Sequence, residues 1–162
     1  MSSFYARDGA GDLLARYSFI EPLLDGKRVL EVGAARATDG GSAMFLAERG
    51  AAAVLSIEAA EPDLAAAREA GHHPFVQFRA TAPSDLRPGT FDLVLVADGA
   101  ALARAPDGVA ALRRLLAPGG RLVTSLPAGG GGLADVAGEP AAEEAPEYEL
   151  FVGALSDHFA LV

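Results

Sequence analysis

The sequence predicts a doubly wound, mostly parallel α/β sheet with helices on both faces, and three observations carry that expectation. Its short apolar runs do not alternate with polar residues, as strands covered on both faces require. Stretches of about ten residues at helical spacing separate those runs. Glycine or proline punctuates nearly every boundary. Strand and helix in alternation give βαβ units, which right-handed crossovers wind onto both sides of one sheet.

Leu13, Leu14, Phe19, Ile20, Leu23 and Leu24 repeat at helical spacing near the start. Arg28-Val29-Leu30-Glu31-Val32-Gly33 reads as a buried strand ending in a glycine turn. Gly41 to Gly50 reads as a helix with glycine at its far end. A second strand follows at 53–57, and Glu61-Pro62-Asp63 opens a helix that runs to Gly71, proline being tolerated in a first turn. Phe75-Val76-Gln77-Phe78 gives a third strand. Residues 91–97 form the clearest strand, between Pro88-Gly89 and Asp98-Gly99. Val109, Leu112, Leu115 and Leu116 mark a helix that Pro118-Gly119-Gly120 stops, and Arg121 to Leu126 is the fifth strand.

The 162 residues suit one domain, 1–162. Its core spans 12–126, a Gly-, Pro- and Glu-rich loop spans 127–146, and a helix with the opening of a further strand spans 147–162. The sequence stops within the apolar run Phe159-Ala160-Leu161-Val162, so a fragment of a longer protein is expected. No apolar run reaches the roughly 18 residues of a membrane span, and the N-terminus lacks a signal pattern, which makes the cytoplasm the expected location. The absence of cysteine excludes disulfides, thiolate metal sites and cysteine nucleophiles.

The net charge of −9 is localised: no Lys or Arg follows Arg121, whereas seven acidic residues do. The first 121 residues hold all 13 basic groups and 15 acidic ones. Without a basic stripe, nucleic-acid binding is not expected. Twelve of the 13 basic residues are arginine, which points to a GC-rich bacterial genome.

In doubly wound sheets ligands bind beyond the carboxyl ends of the strands, where strand order reverses. Here that is the loop from Glu31 to Gly41, in which Gly33 permits close backbone approach and the following helix N-terminus favours negative charge. Glu58, ending the second strand, is placed to accept hydrogen bonds from ribose hydroxyls. Asp98 ends the fourth strand, either facing a substrate or opening a turn with Gly99. His72-His73 has no carboxylate spaced to complete a metal site, and no Ser-His-Asp set with supporting context appears.

Read together, Arg16-Tyr17, the segment Gly26-Lys27-Arg28-Val29-Leu30-Glu31-Val32-Gly33 and the run Phe45 to Ala51 resemble the opening of the class I S-adenosylmethionine-dependent methyltransferases. Residues 91–96 resemble that family's fourth strand, and Leu115-Leu116-Ala117-Pro118-Gly119-Gly120-Arg121-Leu122-Val123 its entry to the fifth. The likeness spans about residues 12–126 and implies a Rossmann-like sheet without its final antiparallel strand. It implies S-adenosylmethionine as cofactor, with Glu31 near the methionine end, Gly33 in the tight turn and Glu58 on the ribose. The pattern departs in three places. Ala35 and Ala37 stand where glycines belong, with Gly40 and Gly41 as replacements from a longer loop. Glu31 and Glu58 lie 27 positions apart, against roughly 20 in the dinucleotide fingerprint. Thr81 lies in the stretch where an Asp usually meets the adenine amino group.

Three readings stay open. One is a weak or non-catalytic binding module, serving a protein partner or the remainder of a longer chain. Another is an active methyltransferase for a small molecule or protein, and the third a dinucleotide-dependent oxidoreductase. No catalytic residue is identified, since methyl transfer asks mainly for positioning.

Overall fold

The computed structural model describes residues 10–103, 105, 107–124, 152–153, 155–156 and 158–159. Helix α1 (Ala10–Ile20) leads into strand β1 (Arg28–Val32), then α2 (Ala35–Thr38) and α3 (Gly41–Glu48). Strand β2 (Ala53–Glu58) is followed by a 3-10 turn, Glu61–Leu64, and α4 (Ala65–Ala70). Next come β3 (Val76–Ala80), a 3-10 turn at Pro83–Asp85, β4 (Phe91–Val96), α5 (Gly99–Ala103), α6 (Gly108–Leu115) and β5 (Leu116–Thr124). The strands form one parallel sheet in the order β3-β2-β1-β4-β5, the doubly wound arrangement expected. Among the described residues no strand runs antiparallel.

Why apolar runs without alternation become strands is plain in β1. Consecutive side chains point to opposite faces of a sheet, so a strand covered twice must be apolar twice. Val29 joins a core built with Leu13 and Tyr17 of α1 and Leu46 of α3. Its neighbour Leu30 joins another with Val109, Leu112 and Leu115 of α6. β4 divides likewise, Leu93 and Leu95 to the first face, Val94 and Val96 to the second. Leu30, Leu46, Leu112 and Leu115 are almost wholly buried, and each contributes roughly 1.5–3 kcal/mol of transfer free energy.

Three boundaries differ from expectation. Pro118-Gly119-Gly120 does not separate helix from strand, because β5 already begins at Leu116. The triplet lies in an irregular stretch of pairing, where Phe91 opposes Leu116 and Leu93 opposes Arg121. Gly119, at φ 75°, turns the chain there, and a Cβ on Gly120 would meet the Ala117 carbonyl oxygen at 2.9 Å. β3 runs to Ala80 instead of ending at Phe78, leaving Phe75 outside it and 54% exposed. Helices α2 and α5 were not expected, both being too short to show a period. The loop expected at 127–146 lies outside the described residues, and so does most of the strand opening expected at 159–162; Phe159 itself donates its N–H to the Leu155 carbonyl at 2.8 Å, a helical bond and not a strand's. Among the described residues no helix is long and apolar enough to cross a membrane, and no group of three metal-ligating side chains occurs.

Arg28 and Asp92 tie β1 to β4 at the amino edge of the sheet. The guanidinium donates to both carboxylate oxygens at 2.9 and 3.0 Å, and the Arg28 amide adds a third bond at 2.9 Å. These donors hold the Asp92 carboxyl at about 2, below its ordinary 3.8. Its stabilising contribution is present above pH 3.8 and lost as pH falls through about 2. Arg28→Ala removes the guanidinium but keeps the Arg28 amide bond, so it is expected to return the Asp92 pKa part of the way to 3.8, read from its side-chain carboxyl chemical shift across a pH series.

Candidate functional site

The carboxyl ends of β1, β2 and β4 meet where strand order reverses, between β1 and β4. Gly33 follows β1 there at φ 75° and donates its N–H to the Ile57 carbonyl at 3.0 Å. Nothing lies within 4 Å of where its Cβ would be, so the backbone is open to close approach.

Beyond Gly33 the longer loop folds into α2. Ala35 and Ala37 are therefore helical and avoid the positive φ that an alanine resists. Ala35 is fully buried with Leu64 and Ala67, against Phe78 and Ala80. Asp39, at φ 48°, ends α2, and the Gly40 amide donates back to the Ala35 carbonyl at 2.9 Å. Thr38 Oγ1 donates to the Ala34 carbonyl and lies 2.9 Å from Ser42 Oγ, fixing the entry to α3. Gly40 (φ 78°) is enforced by packing, since a Cβ would fall 2.7 Å from Phe78 Cζ and 2.8 Å from Ala67 Cβ. Gly41 opens α3 and is buried.

Glu58 sits at the end of β2, as its sequence position implies, and is only 9% exposed. Its Oε1 accepts the Arg36 N–H at 3.0 Å. It thereby satisfies a donor at the head of α2 that no carbonyl within the helix can reach, where negative charge is also favoured. Burial raises the Glu58 pKa, opposed by the Arg36 amide and reinforced by Asp63.

Glu31 lies inside the sheet and not at its edge. Its side chain is fully buried, Oε1 accepting from Tyr17 Oη at 3.0 Å and Oε2 from Ser56 Oγ at 2.5 Å. The Ser42 hydroxyl, 2.9 Å from Thr38 Oγ1, also acts on this carboxylate. Burial raises the Glu31 pKa against the pull of these three hydroxyls, and burial with the Glu31 charge raises Tyr17 well above 10. Sequence reasoning missed these partners, although Ser56 is a polar residue within an apolar strand and in register with Glu31.

Asp98 is exposed, and its Oδ1 accepts the Ala101 N–H at 2.9 Å, capping α5. Thr81 reaches the site through its backbone, donating its N–H to the Glu58 carbonyl at 3.0 Å. The structure thus gathers Gly33, Ala35, Gly40, Glu58 and Thr81 around one edge, while it turns Glu31 into the core and Asp98 into a cap. These residues fit an adenosyl cofactor in part. Gly33 leaves open space, but the acid meant for ribose hydroxyls already holds an amide of its own chain.

A sequence model described as a methyltransferase domain matches residues 30–124. No curated protein is a match to this sequence. Among solved structures, a protein assigned as an S-adenosylmethionine-dependent methyltransferase from Listeria monocytogenes superposes with a TM-score of 0.61 at 23% identity, over 72% of this chain and 55% of its own. An S-adenosylmethionine-dependent methyltransferase from Mesorhizobium loti gives 0.58 at 23% identity, over 76% and 56%. The 4+2 cyclase SpnF gives 0.58 at 24% identity, over 74% and 48%. The chain spans about half the length of these neighbours, and at such identities they establish the fold alone. Matched by the family model over more than half its residues, and carrying the sheet that the model implies, the chain belongs to the methyltransferase domain family, whose cofactor is S-adenosylmethionine.

Proposed function

We propose that this chain is a methyltransferase-fold domain in which S-adenosylmethionine binding is weak or lost, and which works by binding a protein partner. The observation that carries this reading is the engagement of Glu58 by the Arg36 amide. A ribose hydroxyl has to share this nearly buried carboxylate with the Arg36 amide, and α2, anchored by Ala35 on Leu64 and Ala67, cannot withdraw to make room. A cofactor that takes Oε1 leaves that amide unpaired, at a cost of about 1–3 kcal/mol. The cyclase among the fold's neighbours supports the separation of this architecture from methyl transfer, since function lives in sites and not in folds.

Calorimetric titration with S-adenosylmethionine and S-adenosylhomocysteine tests the proposal. The expected result is no saturable heat at ligand concentrations on the order of millimolar, from protein whose melting is cooperative. Micromolar binding that disappears in Glu58→Ala would sink it. That outcome favours an active methyltransferase for a small molecule or protein, a reading that the open flank of Gly33 supports.

A further inference from the structure

Parallel strands in one sheet usually need a crossover of a dozen or more residues, most often a helix. β3 and β4 are joined by Thr81–Thr90 alone, with a single 3-10 turn at Pro83–Asp85. This strap runs from the carboxyl end of β3 to the amino end of β4. Arg114 donates to the Ser84 carbonyl at 2.7 Å, while the Gly89 and Thr90 amides donate to the Arg114 and Leu115 carbonyls. Leu86 is its buried anchor.

Helix α3 covers one face of β2 and β3, but on the opposite face, which carries Leu55, Gln77 and Arg79, no described helix packs on them. A groove of about 370 Å³ remains, lined by Leu55, Phe75 and Phe91 together with Arg28, Arg79 and Arg87. β3 carries Gln77 and Arg79 there, both exposed, so this strand is built for a polar neighbour. No acidic residue lines the groove. Arg28 is neutralised by Asp92, and Arg36, Arg49 and Arg68 each hold a carboxylate elsewhere. Arg79 and Arg87 hold none among the described residues, although the chain carries a net charge of −9.

We infer that this groove docks an acidic segment of a partner protein, with carboxylates on Arg79 and Arg87 and an apolar side chain against Phe75 and Leu55. The guanidinium fork matches carboxylates two bonds at a time, and arginine and aromatic residues carry much of the energy of protein interfaces. Phe75, 54% exposed at the rim, favours a peptide over a small anion, which has no apolar part to cover it. The groove starts at the amino ends of β1, β2 and β4 and runs along β3 to Arg79, and its lining includes neither Gly33 nor Glu58. It rests on the partner-binding reading above and gives that reading a face.

Fluorescence anisotropy of a short labelled peptide of alternating glutamate and leucine tests the inference on the whole chain. Saturable binding on the order of micromolar is expected, weakening with added salt. Arg79→Glu with Arg87→Glu should weaken it at least tenfold and Phe75→Ala severalfold. All three positions are exposed, so melting temperature should not move. Unchanged affinity in the double variant, equal binding of a lysine–leucine peptide, or no saturable binding would each overturn the proposal. Neutralising Glu143, Glu144, Glu147 and Glu149 to glutamine tests another occupant. A tenfold gain in peptide affinity there would assign the groove to the chain's own acidic stretch instead. Since the cofactor titration does not involve this groove, the two proposals fail separately.

Discussion

Glu31→Ala is expected to lower stability by about 3–5 kcal/mol, enough to unfold many domains of this size. The fully buried carboxylate is the common acceptor for Tyr17 and Ser56. Alanine leaves their hydroxyls without it inside a closed core and opens a cavity besides. Glu31→Gln keeps the volume and one acceptor oxygen, so its cost should be about 1–2 kcal/mol. Urea unfolding of the two variants beside the wild type measures both. Acidity supplies a second readout. Burial lifts the folded-state pKa above the ordinary 4.5, so the folded protein holds this proton more tightly than the unfolded chain. The stability so contributed is fully present below pH 4.5 and is lost as pH rises through the raised value. The advantage of wild type over Glu31→Gln should therefore be largest in acid and shrink toward neutrality. A gap that widens with pH would refute this account of Glu31.

Gly40→Ala should cost about 2–4 kcal/mol, since it combines left-handed backbone strain with an overpacked core. The new methyl group would sit 2.7 Å from Phe78 Cζ and 2.8 Å from Ala67 Cβ, and α4 cannot retreat without disturbing Leu64. Gly33→Ala is the control. Its φ is nearly the same, 75° against 78°, but nothing lies within 4 Å. Only the backbone term remains there, about 1–2 kcal/mol. Urea midpoints of the two variants separate packing from strain. Equal losses would mean that α2 and α4 are not pressed together in solution as they are here.

The sheet was legible because its signal is local: Val29-Leu30 or Val94-Leu95 must be apolar whichever face each residue meets. Topology then placed Gly33 and Glu58 at the reversal of strand order. What was not legible is tertiary. The four residues of α2 carry no period, and their alanines read as damaged glycines when in fact they form a helix. Asp98-Gly99 reads as a turn, yet the aspartate caps five helical residues. Pro118-Gly119-Gly120 has the composition of a helix stop and serves as an irregularity inside a strand. The hydroxyls around Glu31 come from three separate elements, which no spacing along the chain relates.

The place of β1 also bears on how the molecule assembles. Its partner on one side, β2, follows after a short interval, the Ser56–Glu31 bond spanning 25 positions. On the other side β4 comes late, and the Arg28–Asp92 contact spans 64. Pairings so distant in sequence slow folding. On a ribosome adding roughly 5–20 residues per second, β1 to β3 emerge first, with one edge of the central strand still bare. For an interval on the order of seconds that apolar edge is a template for any extended chain nearby. Synthesis of β4 closes it, and aggregation of nascent chains should be governed by the segment that delays that arrival, residues 81–90.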